Sequence, residues 1–220
     1  MIRGFKNRTE AGRLLAQQLT AYANRSDVLV LGLPRGGVPV AFEVAEALNA
    51  PLDVCIVRKL GVPGHQELAM GAIAPGGIRV LNQDVVNWFG IKHKKIEEVA
   101  AIEEQELERR DRAYRGDRDP PNLEGRTVIL VDDGIATGST IRAAIAILRQ
   151  QQPERIVLAV PVAPAAACRQ LEEEVEEIVC LMMPEPFHVI GLWYDNFDQT
   201  TDTQVRDLLE RANREKLSSL

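Results

Sequence analysis

The sequence predicts an α/β fold: a parallel sheet of about five strands with helices on both faces. Three observations predict it. Short apolar runs, Val28-Leu29-Val30-Leu31 and Thr127-Val128-Ile129-Leu130-Val131, read as strands buried on both faces. Each runs into a glycine-bearing turn and then an amphipathic helix, the strand–helix–strand rhythm of parallel sheets. The chain has 220 residues, 45% hydrophobic and 26% charged, which suits a domain that buries a core without disulfide staples.

The elements follow in order. Asn7 and Glu10 have capping-box spacing, and Ala11, Leu14, Leu15, Leu19 and Tyr22 continue with helical period, so a helix is predicted over residues 8–24. The strand at 28–31 ends in Gly32-Leu33-Pro34-Arg35-Gly36-Gly37. A helix follows with Pro39 in its first turn, where a missing N–H costs nothing, and with Ala41, Val44, Ala45 and Leu48 on one face. A second strand is predicted at 53–57. Residues 58–77 hold Gly61, Pro63, Gly64, Gly71, Pro75, Gly76 and Gly77, and are read as a long mobile loop carrying Arg58, Lys59, His65 and Glu67. A short strand at 78–81 comes next. The helix at 92–114 is strongly charged, with one narrow stripe of Ile96, Val99, Ala100, Leu107 and Tyr114; it is either a solvated helix on the domain or a dimer contact. Residues 115–122, with Pro120-Pro121, form a linker.

After the strand at 127–131, Ile141, Ala144, Ile145 and Leu148 mark an amphipathic helix. A strand is expected at 156–160, a helix at 165–173 and a strand at 178–181. Residues 184–198 are irregular and rich in aromatics, and a closing helix covers 202–216. A single domain is expected over residues 1–220. Its core would be 27–81 and 126–182, with a helical insertion at 84–120 and a small hood at 183–200.

Composition narrows the function. The net charge of −6 argues against nucleic-acid binding. Cys55, Cys168 and Cys180 are odd in number and lack metal spacing, so free thiols in a reducing cytoplasm are expected. His65, His93 and His188 have no i,i+4 partner, so zinc is not expected. No apolar run of about 18 residues predicts a membrane span. The start of the chain, Met1 to Arg8, is polar and charged, so no secretory signal is expected.

The chemistry concentrates where strands end, the usual ligand position in open α/β sheets. Asp132-Asp133 follow the clearest strand, and Gly134-Ile135-Ala136-Thr137-Gly138-Ser139-Thr140 leads into a helix. Hydroxyls, a tight backbone and free N–H groups at a helix start suit a phosphate monoester. Two adjacent carboxylates suit two neighbouring hydroxyls, such as a ribose diol, or Mg²⁺ reached through water. The plainer alternative is an Asp pair that caps the next helix. Neither a Walker A loop nor a dinucleotide fingerprint is present.

Val128-Ile129-Leu130-Val131-Asp132-Asp133-Gly134-Ile135-Ala136-Thr137-Gly138-Ser139-Thr140 resembles the phosphoribosyl-pyrophosphate (PRPP) motif of type I phosphoribosyltransferases. Leu33-Pro34-Arg35-Gly36-Gly37 is similar to that family's pyrophosphate loop, residues 58–77 sit where the family has a mobile catalytic loop, and 184–198 where it has a hood. The resemblance implies that fold, with Asp132 and Asp133 on the ribose hydroxyls and on Mg²⁺. It implies Ala136, Thr137, Gly138, Ser139 and Thr140 around the 5-phosphate, and Arg35, Gly36 and Gly37 at the pyrophosphate, in a loop that often holds a strained peptide. Arg58 and Lys59 follow the second strand and are either pyrophosphate contacts or an ordinary solvated pair. Phe187, Trp193 and Asp195 would meet the acceptor, or belong to a small satellite core.

The implied activity is Mg²⁺-dependent transfer of 5-phosphoribosyl from PRPP to a nitrogenous acceptor, a nucleobase above all. Arg35, Lys59, Glu67, Asp132 and Asp133 would be the catalytic group. Where oxopurine enzymes have a third Asp, this chain has Ala136, so the acceptor would either ionise by itself or pass its proton to Glu67 or His65 on the loop. A cytoplasmic homodimer is expected, with no membrane or nucleic-acid partner. The competing readings are a PRPP- or nucleotide-sensing regulator without turnover and a partner module built on the helix at 92–114.

Overall fold

The computed structural model describes residues 4–217, and every side chain among them except those of residues 66, 67 and 215–217. In chain order the elements are α1 (Arg8–Gln18), β1 (Val28–Gly32), α2 (Gly37–Leu48), β2 (Leu52–Val54), β3 (Arg58–Val62), β4 (His65–Ala74) and β5 (Ile78–Leu81). They continue with α3 (Gln83–Trp88), α4 (His93–Arg115), β6 (Thr127–Val131), α5 (Ser139–Arg149), β7 (Arg155–Val162), α6 (Ala165–Leu171), β8 (Glu177–Met182) and α7 (Asp202–Leu217). The chain divides into two compact units: Met1–Cys55, Leu123–Gly138 and Pro153–Leu220 make the first, Ile56–Asn122 and Ser139–Gln152 the second.

The first unit is built on a five-stranded parallel sheet in the order β2-β1-β6-β7-β8. β1 and β6 pair in register from Val28 with Thr127 to Gly32 with Val131, and every residue of both is buried. That is why their sequences run continuously apolar rather than alternating. α2 packs on β1, α1 on β7 and β8, and α7 on β2. The predicted N-terminal cap is present in a shifted form. Asn7 Oδ1 accepts the Glu10 N–H at 2.9 Å, while Glu10 Oε2 reaches one residue further back, to the Lys6 N–H at 2.6 Å. α1 ends at Gln18 and a 3₁₀ turn, Thr20–Tyr22, takes over where the longer helix was expected.

The second unit corrects the reading of residues 58–77. This stretch is not an irregular loop. β3, β4 and β5 form an antiparallel sheet in that order. The glycines and prolines that suggested a loop each have a place in the strands or turns. Pro63-Gly64 closes the β3–β4 hairpin, with Val62 paired to His65 and Gly64 at φ +82°, the arrangement of a type II turn. Gly61 sits at a register shift, and a Cβ on Gly71 would lie 2.3 Å from the Val80 carbonyl oxygen. Ala72 and Ala74 of β4 pack with Ala143 and Ile147 of α5. Of the stripe read from the sequence, α4 buries Ile96, Ala100, Leu107 and Tyr114 and half-buries Val99. α3 was not foreseen; its six residues are too few to show a helical period. Among the described residues, no helix is long and apolar enough to cross a membrane.

Candidate functional site

The apolar run of β6 delivers Asp132 and Asp133 to the C-terminal edge of the parallel sheet, and β1 delivers the Leu33–Gly37 turn beside them. Leu33 donates its N–H to the Val131 carbonyl at 2.9 Å, carrying the β1–β6 pairing one step beyond the strands. The turn closes on itself: Gly37 N–H bonds to Leu33 O at 3.0 Å and Val38 N–H to Arg35 O at 3.2 Å. The Pro34–Arg35 peptide bond is cis. The glycine pair has an internal reason as well as the one the resemblance implied. A Cβ on Gly36 would lie 1.9 Å from Asp133 Oδ2, and one on Gly37 would lie 2.7 Å from Val131 O and 2.8 Å from the Asp132 Cα. A side chain at Gly36 would meet the Asp133 carboxylate, and one at Gly37 the backbone at the end of β6.

The two carboxylates have different surroundings. Asp132 Oδ1 accepts the Asp133 backbone N–H at 2.8 Å. Burial pushes the Asp132 carboxyl well above its ordinary range, and the neighbouring Asp133 charge adds to it. Burial also raises Asp133, but the Arg8 guanidinium, donating Nε to Asp133 Oδ2 at 2.8 Å, pulls it back. Arg8 opens α1 and was not singled out in the sequence. Its Nη1 donates to the Asp198 carbonyl at 2.8 Å and its Cζ lies 3.9 Å from the centre of the Phe197 ring.

The aromatic segment near residue 194 is joined to the N-terminus. Phe5 N–H bonds to Trp193 O at 2.8 Å and Asp195 N–H to Phe5 O at 2.8 Å. Phe5 and Tyr194 lie 5.4 Å apart between ring centres, and Tyr194 stacks on Phe197 at 4.9 Å. Tyr194 Oη donates to the Asp133 carbonyl at 2.6 Å. Burial raises the pKa of Tyr194 and keeps its hydroxyl protonated. Phe187 and Trp193 are partly buried against this cluster, and Asp195 is exposed. Trp193 Nε1 is buried with no partner among the described residues.

The remaining predicted residues are distributed as follows. Arg35 is half-buried, with Nη1 3.8 Å from Asp202 Oδ1 of α7. Ala136 and Thr137 are exposed, Gly138 is at φ +76°, and Ser139 and Thr140 open α5. In the second unit, Arg58 donates Nε to Glu103 Oε2 of α4 at 2.6 Å, and Lys59 is half-buried beside it in β3. Glu67 falls in β4, and its side chain lies outside the described residues.

The donor set bears on a metal. Among the described residues, no group of three or more His, Cys, Asp or Glu gathers that could hold one. Two adjacent carboxylates alone are the hard oxygen set that suits Mg²⁺ arriving with its own waters and phosphate oxygens, rather than a resident ion in a protein cage.

Comparison with known proteins gives the following. Residues 5–190 match the family model described as phosphoribosyl transferase domain. Mycobacterium tuberculosis proteins provisionally named phosphoribosyl transferases, MT0597 and Rv0571c in two strains, are 47% identical over 211 residues. The match covers 96% of this chain and 47% of each relative, so the chain spans about half the length of these curated relatives. The crystal structure of TT1426 from Thermus thermophilus is 40% identical with a TM-score of 0.88, covering 96% of this chain and 99% of that one. The AQ2163 protein from Aquifex aeolicus, 13% identical with a TM-score of 0.51 over 92% of this chain and 83% of its own, shares the fold.

Proposed function

Because the chain belongs to the phosphoribosyl transferase domain family, we propose that it transfers 5-phosphoribosyl from PRPP to a nitrogenous acceptor, a nucleobase above all, and releases pyrophosphate. The observation that carries the proposal is the Asp132–Asp133 pair directly after β6, half-buried at Asp132 and buried at Asp133, packed against the Gly36–Gly37 turn. Two carboxylates this close together cost the fold stability; the Arg8 ion pair offsets that at Asp133, and a ribose diol or a cation would offset it at both.

In this reading Asp132 and Asp133 accept hydrogen bonds from the ribose 2- and 3-hydroxyls. Ala136 to Thr140 take the 5-phosphate through backbone N–H groups and the hydroxyls of Thr137, Ser139 and Thr140. Arg35 meets the pyrophosphate. In the transfer the C1–oxygen bond to pyrophosphate breaks, a C1–nitrogen bond to the acceptor forms, and the acceptor nitrogen's proton passes to solvent or to a base on residues 58–77 such as Glu67. Mg²⁺ held through Asp132 and Asp133 with PRPP would neutralise charge on the departing pyrophosphate. Phe187, Trp193 and Asp195 are proposed at the acceptor.

The test is pyrophosphate release from PRPP and Mg²⁺ with pooled nucleobases. Release dependent on a base supports transfer. Tight PRPP binding with no release under any base contradicts transfer and favours a PRPP sensor on the same fold. Neither binding nor release contradicts both.

A further inference from the structure

We infer that Arg8 is a positioning residue for the Asp132–Asp133 pair: it fixes Asp133 and neutralises it beneath the Leu33–Gly37 turn, so that an anion can lie over that turn. The inference rests on the reading of the pair as the PRPP site.

The geometry around Asp133 carries it. Asp133 is held at both ends by groups remote in sequence. Arg8 Nε bonds its Oδ2 at 2.8 Å, and Tyr194 Oη bonds its carbonyl at 2.6 Å. The two holders are themselves joined, because Arg8 lies 3.9 Å over the Phe197 ring and Phe197 stacks on Tyr194 at 4.9 Å. Arg8 is also bonded to the Asp198 carbonyl at 2.8 Å. Its side chain is only 12% exposed, so the guanidinium is clamped in place and cannot act as a wandering surface charge. A planar fork stacked on an aromatic ring is a geometry that Arg supplies and Lys does not.

Electrostatics gives the clamp its purpose. Oδ2 of Asp133 lies 1.9 Å from where a Gly36 Cβ would stand, directly against the turn proposed to receive pyrophosphate. An uncompensated carboxylate there would repel the anion. Arg8 bonds to that same oxygen, so the Asp133 charge against the turn is offset and the approaching anion is left to the backbone and Arg35.

The experiment is titration calorimetry of PRPP with Mg²⁺ into the intact chain and the variants Arg8→Gln, Arg8→Lys, Asp133→Asn and the double variant Arg8→Gln/Asp133→Asn. Thermal melting of each variant runs in parallel. Arg8→Gln is expected to weaken PRPP binding about ten- to hundredfold, the range for a lost hydrogen bond to a charged group. Arg8→Lys is expected to recover part of that loss, by charge without the fork. If Arg8 acts through Asp133, the double variant binds no worse than Asp133→Asn alone; a merely structural role gives additive losses instead and overturns the inference. Should Arg8→Gln fail to fold, Arg8→Lys decides: wild-type affinity in that variant overturns the need for the fork. If Asp133→Asn loses affinity while Arg8→Gln binds like wild type, the Arg8 inference falls and the site stands. If Asp133→Asn itself binds like wild type, the reading of the site falls and takes the inference with it.

Discussion

A Cβ on Gly36 would stand 1.9 Å from Oδ2 of Asp133, so the turn after β1 and the carboxylate after β6 fill adjoining space completely. Gly36→Ala therefore cannot leave both where they are. Either the turn lifts or Asp133 swings away from Arg8, and the 2.8 Å bond between them is lost. The expected cost is about 1–3 kcal/mol, as for other overpacked sites. Urea unfolding of Gly36→Ala should show a lowered midpoint with an unchanged slope. A wild-type midpoint would show that this packing is not rigid.

Tyr194→Phe isolates the other support of Asp133. The substitution keeps the ring stack with Phe5 and Phe197 and removes only the hydroxyl that donates to the Asp133 carbonyl at 2.6 Å. A buried acceptor left unpaired costs about 1–3 kcal/mol. Denaturant unfolding measures it, and an unchanged free energy would mean that water replaces the hydroxyl.

The sequence made the parallel sheet legible because its central strands β1 and β6 are buried throughout and nearly all apolar, as in Val28–Leu31 and Thr127–Val131. The Asp132–Asp133 pair was legible for a related reason: charge directly after such a run is rare without a task. Residues 58–77 were misread because glycine and proline were counted as breakers, although only Pro63-Gly64 and Pro75-Gly76-Gly77 are turns and Gly61 and Gly71 lie within strands. Arg8 and Phe5 could not be found from local pattern. Their partners, Asp133 and Tyr194, lie more than a hundred residues away, and an Arg in the first turn of a helix looks like any solvated charge. Trp193 was legible as an aromatic in a hood, but its buried N–H became visible only in three dimensions.

Two carboxylates should move stability with pH in opposite directions. Asp27 is held down to about 2 by the Arg25 guanidinium and by the Thr127 hydroxyl at 2.9 Å. Its contribution is present above the unfolded value of ~3.9 and is lost as pH falls through the lowered one. Asp27→Asn should be less stable at pH 7 by under about 1 kcal/mol, since solvent screens this exposed pair, and the difference should fade toward pH 2. Asp132 has its pKa raised, so the folded chain binds more protons than the unfolded chain in the window above ~3.9. Its stability is present below that value and is lost as pH rises through the raised one. Asp132→Asn should melt like wild type near pH 4 and higher than wild type at pH 8, by about 2–4 °C for each kcal/mol recovered in a chain of this size. Melting both variants in metal-free buffer across pH 3–8 tests the signs; parallel curves would contradict them.

The acceptor carries a further prediction. By the resemblance of the 128–140 motif, Ala136 corresponds to a proton-exchanging Asp of the oxopurine enzymes, and an alanine cannot take a proton. Loss of a general base costs about 10²–10⁴-fold in rate. Hypoxanthine, guanine and xanthine should therefore be weak acceptors or none, and a base that ionises readily by itself should be better. Steady-state turnover with each base decides. Oxopurine rates near ~1 s⁻¹, the low end of ordinary enzymes, would contradict the argument from Ala136.

The central claim, that the Asp132–Asp133 pair binds PRPP, is tested most directly by calorimetric titration of PRPP with Mg²⁺ into Asp132→Asn. Asn keeps an oxygen for the Asp133 N–H that Asp132 Oδ1 accepts at 2.8 Å and replaces the other carboxylate oxygen with an uncharged NH₂. The account predicts a variant that melts no lower than wild type at pH 8 and yet binds PRPP at least about tenfold more weakly, the loss of one charge-assisted hydrogen bond. Wild-type affinity in that well-folded variant would contradict it.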